Sequence, residues 1–444
     1  MDSSRQMGEE KIGALLLKFS IPAIIGMMVN ALYNVVDRAF VGQGVGLHAL
    51  SGITVTYPIT IAIMAFGMLI GFGGTAIISI RLGQQKKEEA EQIMGNAFVL
   101  LVGVGLVITV LCYMFMDAFL SLLGASPEAL PYAKEFLNIL LIGVVFMTVG
   151  FGMNSFLRGQ GKPRIAMATM LLGAILNIIL NPIFIFGLKM GVTGSALATV
   201  IAQFCATAWV MYYFLSKRAM LKLRVRNFKI RWVLIKDSLA IGLSPFSMQI
   251  AASIVTMVFN KSLFIHGGDE AIAAFGAINA VAMFILMPVF GLSQGAQPIM
   301  GYNYGARNYE RVKRTLKLAA LGATGVMTFG FLLVELFPVA IMGLFNDDPG
   351  MIVLGAEGIR IYLLMLPIVG FQVTVTGFFQ ATGRPRKSLF LSLSRQLLFL
   401  IPLIWLLSHF FGLRGIWMAS PVSDVMSVIL TVIWLKMDLR EFKP

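Results

Sequence analysis

The chain has 444 residues, of which 58% are hydrophobic and 13% are charged, and its formal net charge at pH 7 is +14. Soluble domains carry roughly a quarter charged residues, so this composition excludes an ordinary soluble protein and predicts one embedded in a membrane. The two cysteines, Cys112 and Cys205, both lie in apolar stretches. Neither a disulfide framework nor a cysteine-based metal site is therefore predicted.

Apolar stretches long enough to cross a bilayer, which takes about 20 residues per helix, recur along the whole chain. They lie at residues 15–38, 52–79, 93–115, 133–156, 165–186, 193–215, 239–264, 273–299, 316–342, 359–380, 388–409 and 414–435. The chain is thus predicted to be an all-α integral membrane protein with twelve transmembrane helices, called spans 1 to 12. No short apolar core followed by a small-residue cleavage site precedes span 1, so no removable signal peptide is predicted.

A seven-residue motif occurs twice in the chain. It reads R-G-Q-G-K-P-R at 158–164 and Q-A-T-G-R-P-R at 380–386, an offset of 222 positions, which is half of 444. A two-fold repeat in an apolar chain indicates a transporter built from two related bundles. Six spans per repeat bring both halves into the membrane in the same direction. We therefore predict two pseudo-symmetric six-helix lobes, at 1–216 and 237–444, joined by a linker at 217–236.

The distribution of lysine and arginine predicts the orientation. Most of the 35 lie in the termini or in the loops after even-numbered spans, whereas Lys189 and Arg414 alone lie in loops after odd-numbered spans. The positive-inside rule then places both termini and the linker in the cytoplasm. The linker holds eight basic residues and no acid. We interpret it as a basic membrane-flanking anchor, with specific binding of anionic lipids as the alternative, and predict no nucleic-acid partner.

Span 1 carries a polar stripe at helical spacing, formed by Asn30, Tyr33, Asn34 and Asp37. A charged side chain at bilayer depth costs several kcal/mol and is a functional candidate. Asp37 is therefore either a carboxylate that binds a proton or cation, or an acid at the span end that pairs with Arg38. Pro22 leaves one backbone carbonyl of this helix unpaired, so the helix can bend there.

Three further spans of the first lobe carry polar residues. These are Asn154 in span 4, Asn177 and Asn181 in span 5, and Ser195, Thr199 and Gln203 in span 6. Each stripe alone is explained by hydrogen bonds between helices. Together with Asp37 they predict a polar pocket that suits a proton, water or Na⁺.

The second lobe has a different pattern of polar side chains. Span 7 carries Gln249, Ser253 and Thr256, span 8 carries Met283, and span 10 carries Gln372 and Thr376. Asp424 of span 12 and Arg395 of span 11 are either a salt bridge or a site, and the sequence leaves both readings open. Since the repeat is not chemically symmetric, we expect ion coupling to reside mainly in the first lobe.

Several motifs resemble those of multidrug and toxic compound extrusion (MATE) transporters. For the first repeat they are V-V-D-R-A-F-V-G-Q-G at 35–44 and H-A-L-S-G-I at 48–53. For the second they are A-I-A-A-F-G-A-I-N at 271–279, G-L-S-Q-G-A-Q-P at 291–298 and N-Y-G-A-R-N at 303–308. The resemblance covers essentially the whole chain. It implies two lobes that form a V-shaped cleft, and export of amphipathic, often cationic, compounds in exchange for H⁺ or Na⁺.

The resemblance also suggests site residues. Asp37 matches the acid of the first helix that is implicated in coupling, and Asn177 and Thr199 match polar residues around it. Asn181 stands where relatives commonly have aspartate, which puts Na⁺ in doubt because hard cations favour several negatively charged oxygen ligands. We thus predict proton coupling through Asp37, Asn34, Asn154, Asn177, Asn181 and Thr199. The predicted substrate cleft comprises Asn30, Tyr33, Gln203, Gln249, Ser253, Thr256, Met283, Gln372 and Thr376.

The resulting functional prediction is a cation-coupled antiporter in the inner (plasma) membrane. It is expected to act as a monomer, to export amphipathic small molecules by alternating access, and to use H⁺ without a metal or organic cofactor. The alternative is a flippase for a lipid-linked oligosaccharide or another amphipathic lipid. An enzyme is not predicted, since the sequence shows no catalytic cluster at one membrane face and no phosphate-binding loop.

Overall fold

The structure, a computed structural model, describes residues 3–123, 126–217, 219–345 and 348–441. These residues are almost entirely helical and contain no strand. Ten of their helices are long and apolar enough to cross a membrane, or eleven when the bent pair Pro349–Tyr362 and Leu366–Ala381 is one span. The 56-residue segment Pro385–Arg440 would be about 84 Å long as one helix. Because non-helical Gly412 interrupts it, it provides two spans and brings the number to the predicted twelve.

The twelve membrane helices overlap the twelve predicted spans. The first six are α1 (Ile12–Gly44), α2 (Leu47–Gly83), α3 (Lys87–Met114), α4 (Leu130–Gly159), α5 (Pro163–Pro182) and α6 (Gly191–Leu215). The second six are α7 (Trp232–Gly268), α8 (Glu270–Gly305), α9 (Tyr309–Leu336), α10 (Pro349–Tyr362 and Leu366–Ala381), α11 (385–411) and α12 (413–441). A π-helical segment, Ile183–Gly187, follows α5, and another, Ser394–Leu400, lies within α11.

The chain divides into two compact units. Unit 1 consists of Met1–Glu9 and Ile25–Gly242, and unit 2 consists of Glu10–Ile24 and Leu243–Pro444. In unit 1, α4 packs against α2, α3 and α6, and α5 packs against α6. In unit 2, α9 packs against the second half of α10. The bounds of the units differ from those of the predicted lobes in two places. Unit 1 includes the linker and residues 237–242, and unit 2 includes Glu10–Ile24, which contains the first half of α1.

Buried hydrogen bonds explain why the linker belongs to unit 1. The Asn96 side-chain amide of α3 donates to the carbonyl oxygens of Asn227 at 2.6 Å and Lys229 at 3.0 Å, and its oxygen accepts from the Arg231 N–H at 2.7 Å. Glu91, one turn earlier on α3, accepts from the Lys222 N–H at 3.1 Å. The linker is therefore fastened along α3, which its basic composition did not indicate.

Close backbone packing explains why the first half of α1 belongs to unit 2. A Cβ atom added at Gly295 of α8 would lie 2.8 Å from both the N and Cα atoms of Ser20. One turn earlier, a Cβ atom at Gly291 would lie 2.8 Å from the N and Cα atoms of Ile24. These two glycines allow α8 to touch the backbone of α1, up to two residues beyond Pro22. Helix α1 thus changes its packing partners close to the proline where the sequence predicts that it can bend.

The repeated sequence motif forms the same turn twice. Gly161 connects α4 to α5 with φ 85°, and Gly383 connects α10 to α11 with φ 70°. Both values lie in the left-handed region that favours glycine. In each turn a proline, Pro163 or Pro385, begins the next helix, where its missing N–H has no helical partner to lose. The motif therefore encodes a helix-to-helix connection.

The close packing of α8 on α1 predicts that Gly295→Val destabilises the protein. The added atoms meet backbone, which cannot move aside, and overpacking of this kind costs about 1–3 kcal/mol. We expect a lower Tm in detergent by fluorescence-detected size exclusion. Gly276→Val on the same helix is the control, because a Cβ there has no neighbour within 4 Å. Equal Tm values for the two variants would contradict the packing argument.

The attachment of the linker predicts that Asn96→Ala exposes it to protease. The variant leaves two backbone carbonyls and one N–H without their partner, and each such loss costs about 1–3 kcal/mol. We expect trypsin to cut after Lys229 and Arg231 at least several-fold faster than in the wild type. Gln92→Ala, which removes one exposed contact to Arg231, should be cut at the wild-type rate. Unchanged cleavage of Asn96→Ala would show that the linker is held by other contacts.

Candidate ion site and substrate-facing residues

Asp37 of α1 lies half-buried inside unit 1 and is bound by neutral donors. Its Oδ1 atom accepts hydrogen bonds from the Ser195 hydroxyl of α6 at 3.0 Å and from the Asn181 side-chain amide of α5. Within the described residues no lysine, arginine or histidine forms a salt bridge with it, and the Arg38 guanidinium instead lies 4.6 Å from the centre of the Tyr57 ring. The carboxylate therefore lacks a fixed counter-charge.

A chain of side-chain hydrogen bonds leads from Asp37 to α6. The Asn181 amide nitrogen also donates to Asn177 Oδ1 at 3.1 Å, and the Asn177 amide nitrogen donates to Thr199 Oγ1 at 3.1 Å. Asn177 and Asn181 are one helical turn apart and both are buried, as the stripe on span 5 predicts. We call Asp37, Asn181, Asn177, Thr199 and Ser195 the Asp37 cluster. It joins α1, α5 and α6.

One buried atom of the Asp37 cluster has no hydrogen-bond partner. Asn181 is fully buried, and its Oδ1 atom is unpaired. A buried acceptor without a donor costs about 1–3 kcal/mol, so the site is incomplete while Asp37 is charged. A proton on Asp37 converts an acceptor-only carboxylate into a donor, and a cation would equally provide a partner for this oxygen.

The cluster can reverse its hydrogen-bond direction when Asp37 is protonated. If the two asparagine amides turn by half a rotation, the Asp37 O–H donates to Asn181 Oδ1 and the Asn177 amide nitrogen donates to the same oxygen. Asn177 Oδ1 then accepts from the Thr199 hydroxyl, which can donate as well as accept. Each of the three hydrogen bonds between Asp37 and Thr199 keeps a donor and an acceptor in both directions. The atom of Asn181 that lacks a partner changes from Oδ1 to the amide nitrogen.

Asn181 lies where α5 loses its regular α-helical hydrogen bonding. Pro182 follows it directly, and the helix then continues with π-helical hydrogen bonding over Ile183–Gly187. Such π-helical segments occur frequently at functional sites. The N-P pair of span 5 was the sequence signal for this irregularity.

Two predicted ion-coupling residues are not shown in the Asp37 cluster. The side chain of Asn34 lies outside the described part of the structure. Asn154 uses both of its polar atoms elsewhere: its nitrogen donates to the Ala166 carbonyl at 2.9 Å and its oxygen accepts from Arg158 at 2.7 Å. The physical reason is that Arg158, one turn further along α4, is a buried cation that needs acceptors. Asn154 therefore stabilises Arg158, and both of its polar atoms are bonded outside the Asp37 cluster.

Ser195 was not among the predicted ion-coupling residues, and the structure places its hydroxyl in hydrogen-bond contact with Asp37. It precedes Thr199 by one helical turn, so the polar stripe of span 6 contained the signal. A serine in a stripe of one helix does not, however, reveal which acid on another helix it contacts. The other polar residues predicted for the cleft in unit 1, Asn30, Tyr33 and Gln203, are half-buried.

The predicted cleft residues of unit 2 fall into two groups. Gln249 is half-buried, and Ser253, Thr256 and Met283 are exposed, which leaves them accessible from outside unit 2. Gln372 and Thr376 are buried inside unit 2, and their assignment to a substrate cleft stays a prediction. Gln372 donates to the Ser427 hydroxyl of α12.

The two remaining predicted charges, Arg395 and Asp424, form a salt bridge. Arg395 Nε donates to Asp424 Oδ1 at 2.6 Å, and Asp424 is buried. Of the two readings that the sequence left open, the ion pair is therefore present. Unit 2 thus contains a neutralised acid, whereas the acid of unit 1 has only neutral partners.

Comparisons with known proteins agree with this architecture. The family model described as MatE matches residues 22–183 and 245–406, one stretch in each repeat. A multidrug export protein MepA from Staphylococcus haemolyticus is 30% identical over 96% of this chain and 93% of its own length. A protein of the same name from Staphylococcus aureus is 27% identical over 95% of this chain and 94% of its own length.

Solved structures give the same result. A MATE crystal structure in the bent conformation superposes with a TM-score of 0.94 at 27% identity, and covers 100% of this chain and 98% of the other. The MATE multidrug transporter DinF-BH, solved as a complex, superposes with a TM-score of 0.91 at 39% identity, over 97% of both chains. The family model and these similarities together confirm the resemblance seen in the motifs: the chain belongs to the MatE family of efflux transporters, which are secondary transporters and not enzymes.

Proposed function

We propose that this protein exports amphipathic, often cationic, organic compounds across the cytoplasmic membrane by alternating access, in exchange for a proton that binds at Asp37. The substrate class is supported by the relatives, which are named multidrug export proteins, and by the similar structure of DinF-BH, which is named a multidrug transporter. The observation that carries the coupling mechanism is the bonding of Asp37 to the neutral donors Asn181 and Ser195. A carboxylate that has no permanent ion-pair partner can bind a cation and release it again.

The exchange follows from the electrostatics of a membrane-embedded acid. A charged carboxylate in a low-dielectric surrounding is costly, and either a cationic substrate or a proton offsets that cost. A proton from the outer side neutralises Asp37 and reverses the Asp37 cluster. The substrate then loses its counter-charge and leaves. Release of the proton to the cytoplasm restores the charged site, which binds the next substrate.

The composition of the Asp37 cluster favours a proton over Na⁺. Asp37 is the one carboxylate in the cluster, and the remaining oxygens belong to amides and hydroxyls of Asn181, Asn177, Ser195 and Thr199. Hard cations bind best to several oxygens with compensating negative charge. A bound proton needs an oxygen of the acid to carry it and an oxygen of a neighbour to accept the resulting hydrogen bond. Asp37 supplies the first, and the unpaired Asn181 Oδ1 supplies the second.

The distribution of basic residues supports the direction of transport. Both termini and the linker are assigned to the cytoplasm, since lysine and arginine concentrate in the loops on that side. Export then moves substrate from the side of the linker to the opposite side. We assign these steps to a monomer, because the Asp37 cluster is built from helices of one chain.

The proposal predicts that Asp37→Asn abolishes export. The amide retains the size of the side chain but cannot bind a proton or balance a cation. We expect ethidium efflux from cells at the level of an empty vector, while wild-type efflux is abolished by a protonophore and indifferent to Na⁺ at fixed pH. Asp237→Asn, an exposed acid at the start of α7, is the matched control and should export normally.

Other results of this efflux experiment have defined meanings. Full export by Asp37→Asn would remove Asp37 from the mechanism. Efflux that follows the Na⁺ gradient would replace the proton by Na⁺. If the wild type moves no dye under either gradient, the predicted alternative, a flippase for an amphipathic lipid, becomes the better assignment.

The proton assignment also predicts a gain of Na⁺ binding in Asn181→Asp. The substitution places a second carboxylate beside Asp37, which gives a hard cation two negatively charged ligands. We expect Na⁺ to raise the Tm of this variant at neutral pH and to leave the wild-type Tm unchanged, with choline as the salt control. Asn154→Asp is the matched variant, because its new carboxylate faces Arg158 and should confer no Na⁺ response. A Na⁺ response of the wild-type protein would contradict the assignment.

A further inference from the structure

An ion pair between a partly buried arginine and a buried aspartate joins α11 and α12 in unit 2. Arg395 Nε and Asp424 Oδ1 are 2.6 Å apart, and Asp424 is 3% exposed. The neighbouring Ser423 hydroxyl donates to the Arg395 carbonyl oxygen at 2.7 Å, which fixes the arginine backbone to α12. The transport cycle described above makes no use of either charge, yet charges at this depth are rare and mark functional positions.

The surroundings of the pair contain no second cation. From α7 and α8 come the rings of Phe259 and Phe275, stacked at 4.7 Å, and Trp417 of α12 lies 6.2 Å from Phe275. The Tyr362 ring of α10 stands edge-on to both phenylalanines. Tyr362 is the other titratable group near the pair, and it shares a hydrogen bond with Ser420. Among the described residues, Arg395 is thus the cation that pairs with Asp424.

In both units the fifth helix of the repeat binds an acid of another helix, although the positions are not equivalent by the repeat. Asn181 lies 18 residues after Pro163 (181 − 163), and Arg395 lies 10 residues after Pro385 (395 − 385). The acids belong to the first helix of the repeat in unit 1 and to the sixth in unit 2. Helices α5 and α11 begin at Pro163 and Pro385, 222 positions apart. Each has a π-helical segment next to or around the side chain that binds an acid of another helix. In unit 1 that side chain is Asn181, before Ile183–Gly187, and in unit 2 it is Arg395, inside Ser394–Leu400. The acid is held by an amide in unit 1 and by a guanidinium in unit 2.

We propose that Arg395 is a built-in counter-ion: it neutralises Asp424 as an exchangeable cation neutralises Asp37, and so confines the coupling ion to unit 1. Arginine is not deprotonated in proteins, and its side chain is tethered to α11. Asp424 is therefore neutralised throughout the cycle. The confinement to unit 1 rests on the proposed function of Asp37, whereas the role of Arg395 at Asp424 does not depend on it.

The role of Arg395 predicts that its removal creates a second proton-binding carboxylate. The readout is infrared difference spectroscopy of the full chain in lipid nanodiscs, in the C=O stretching region of protonated carboxyl groups. Spectra are compared between alkaline and mildly acidic pH, above the range where exposed carboxylates titrate. The wild type should show one band, which is lost in Asp37→Asn. Arg395→Gln should show two bands of equal area, a doubling of the protonated carboxyl signal.

Two further variants identify the second band. It should be absent from the double variant Arg395→Gln/Asp424→Asn, and absent from Arg395→Lys, which retains a cation at the same place. A folded Arg395→Gln protein with the wild-type spectrum would overturn the proposal. So would a wild-type band that disappears in the Arg395→Gln/Asp424→Asn variant, since Asp424 would then already exchange protons.

The experiment remains decisive if Arg395→Gln does not fold. Removing only the arginine leaves a buried carboxylate without its counter-charge and strongly destabilises the protein, whereas replacing both partners by neutral groups is often tolerated. Folding of the double variant but not of the single one would support compensation of Asp424 by Arg395, and failure of both would contradict it. If Asp37→Asn leaves the wild-type band unchanged, the proposed function of Asp37 and the confinement to unit 1 fail. The variants at Arg395 would still decide what neutralises Asp424.

Discussion

The hydrocarbon interior of a membrane offers no hydrogen-bond partners, so each polar side chain that these helices carry inward must find one in the protein. This requirement accounts for the arrangement of the polar residues in both units. In unit 1, Asn177 and Asn181 bond to each other and to residues of α1 and α6. In unit 2, Gln297 donates to Gln380 at 2.7 Å, and Gln380 in turn donates to Ser244 at 3.3 Å. The Oδ1 atom of Asn181 is one of the buried side-chain atoms that have no such partner.

The same requirement separates the chemistry of the two repeats. Asp37 in unit 1 and Asp424 in unit 2 are each bound by a side chain of the fifth helix of the repeat. An amide leaves the charge of Asp37 in place, whereas the guanidinium of Arg395 cancels the charge of Asp424. In the proposed mechanism, unit 1 exchanges a cation at Asp37, whereas Asp424 keeps Arg395 as its partner. The repeated turns at Gly161 and Gly383 preserve the common backbone that makes this comparison meaningful.

Hydrophobic length predicted the twelve membrane helices, the duplicated motif at 158–164 and 380–386 predicted the repeat, and helical periodicity identified most of the Asp37 cluster. Asn177 and Asn181 were identified because residues four apart share a helix face. Periodicity does not, however, tell which neighbour that face meets. The stripe on α10 was predicted to line a cleft, and only the structure shows that Gln372 of this stripe donates to Ser427 of α12. Asn154 also lies on a polar stripe, and only the packed structure shows that its side-chain oxygen accepts a hydrogen bond from Arg158. The prediction for the linker used its composition alone. Composition gives the charge of the linker but does not indicate which of its backbone groups bind Asn96.

The packing of α1 has a consequence for the biogenesis of the protein. The ribosome synthesises the first half of α1 long before its partner α8 exists, since Ser20 and Leu292 are 272 residues apart in sequence. At 5–20 residues per second, that interval is roughly 14–54 s. During this time the nascent helix lies in the membrane beside lipid, beside the translocon or against provisional neighbours, with the face that will meet Gly291 and Gly295 uncovered. Unit 2 is thus completed only after the second repeat has been inserted. Its first helical segment is made before α2 to α8 and is among the last to reach its final position.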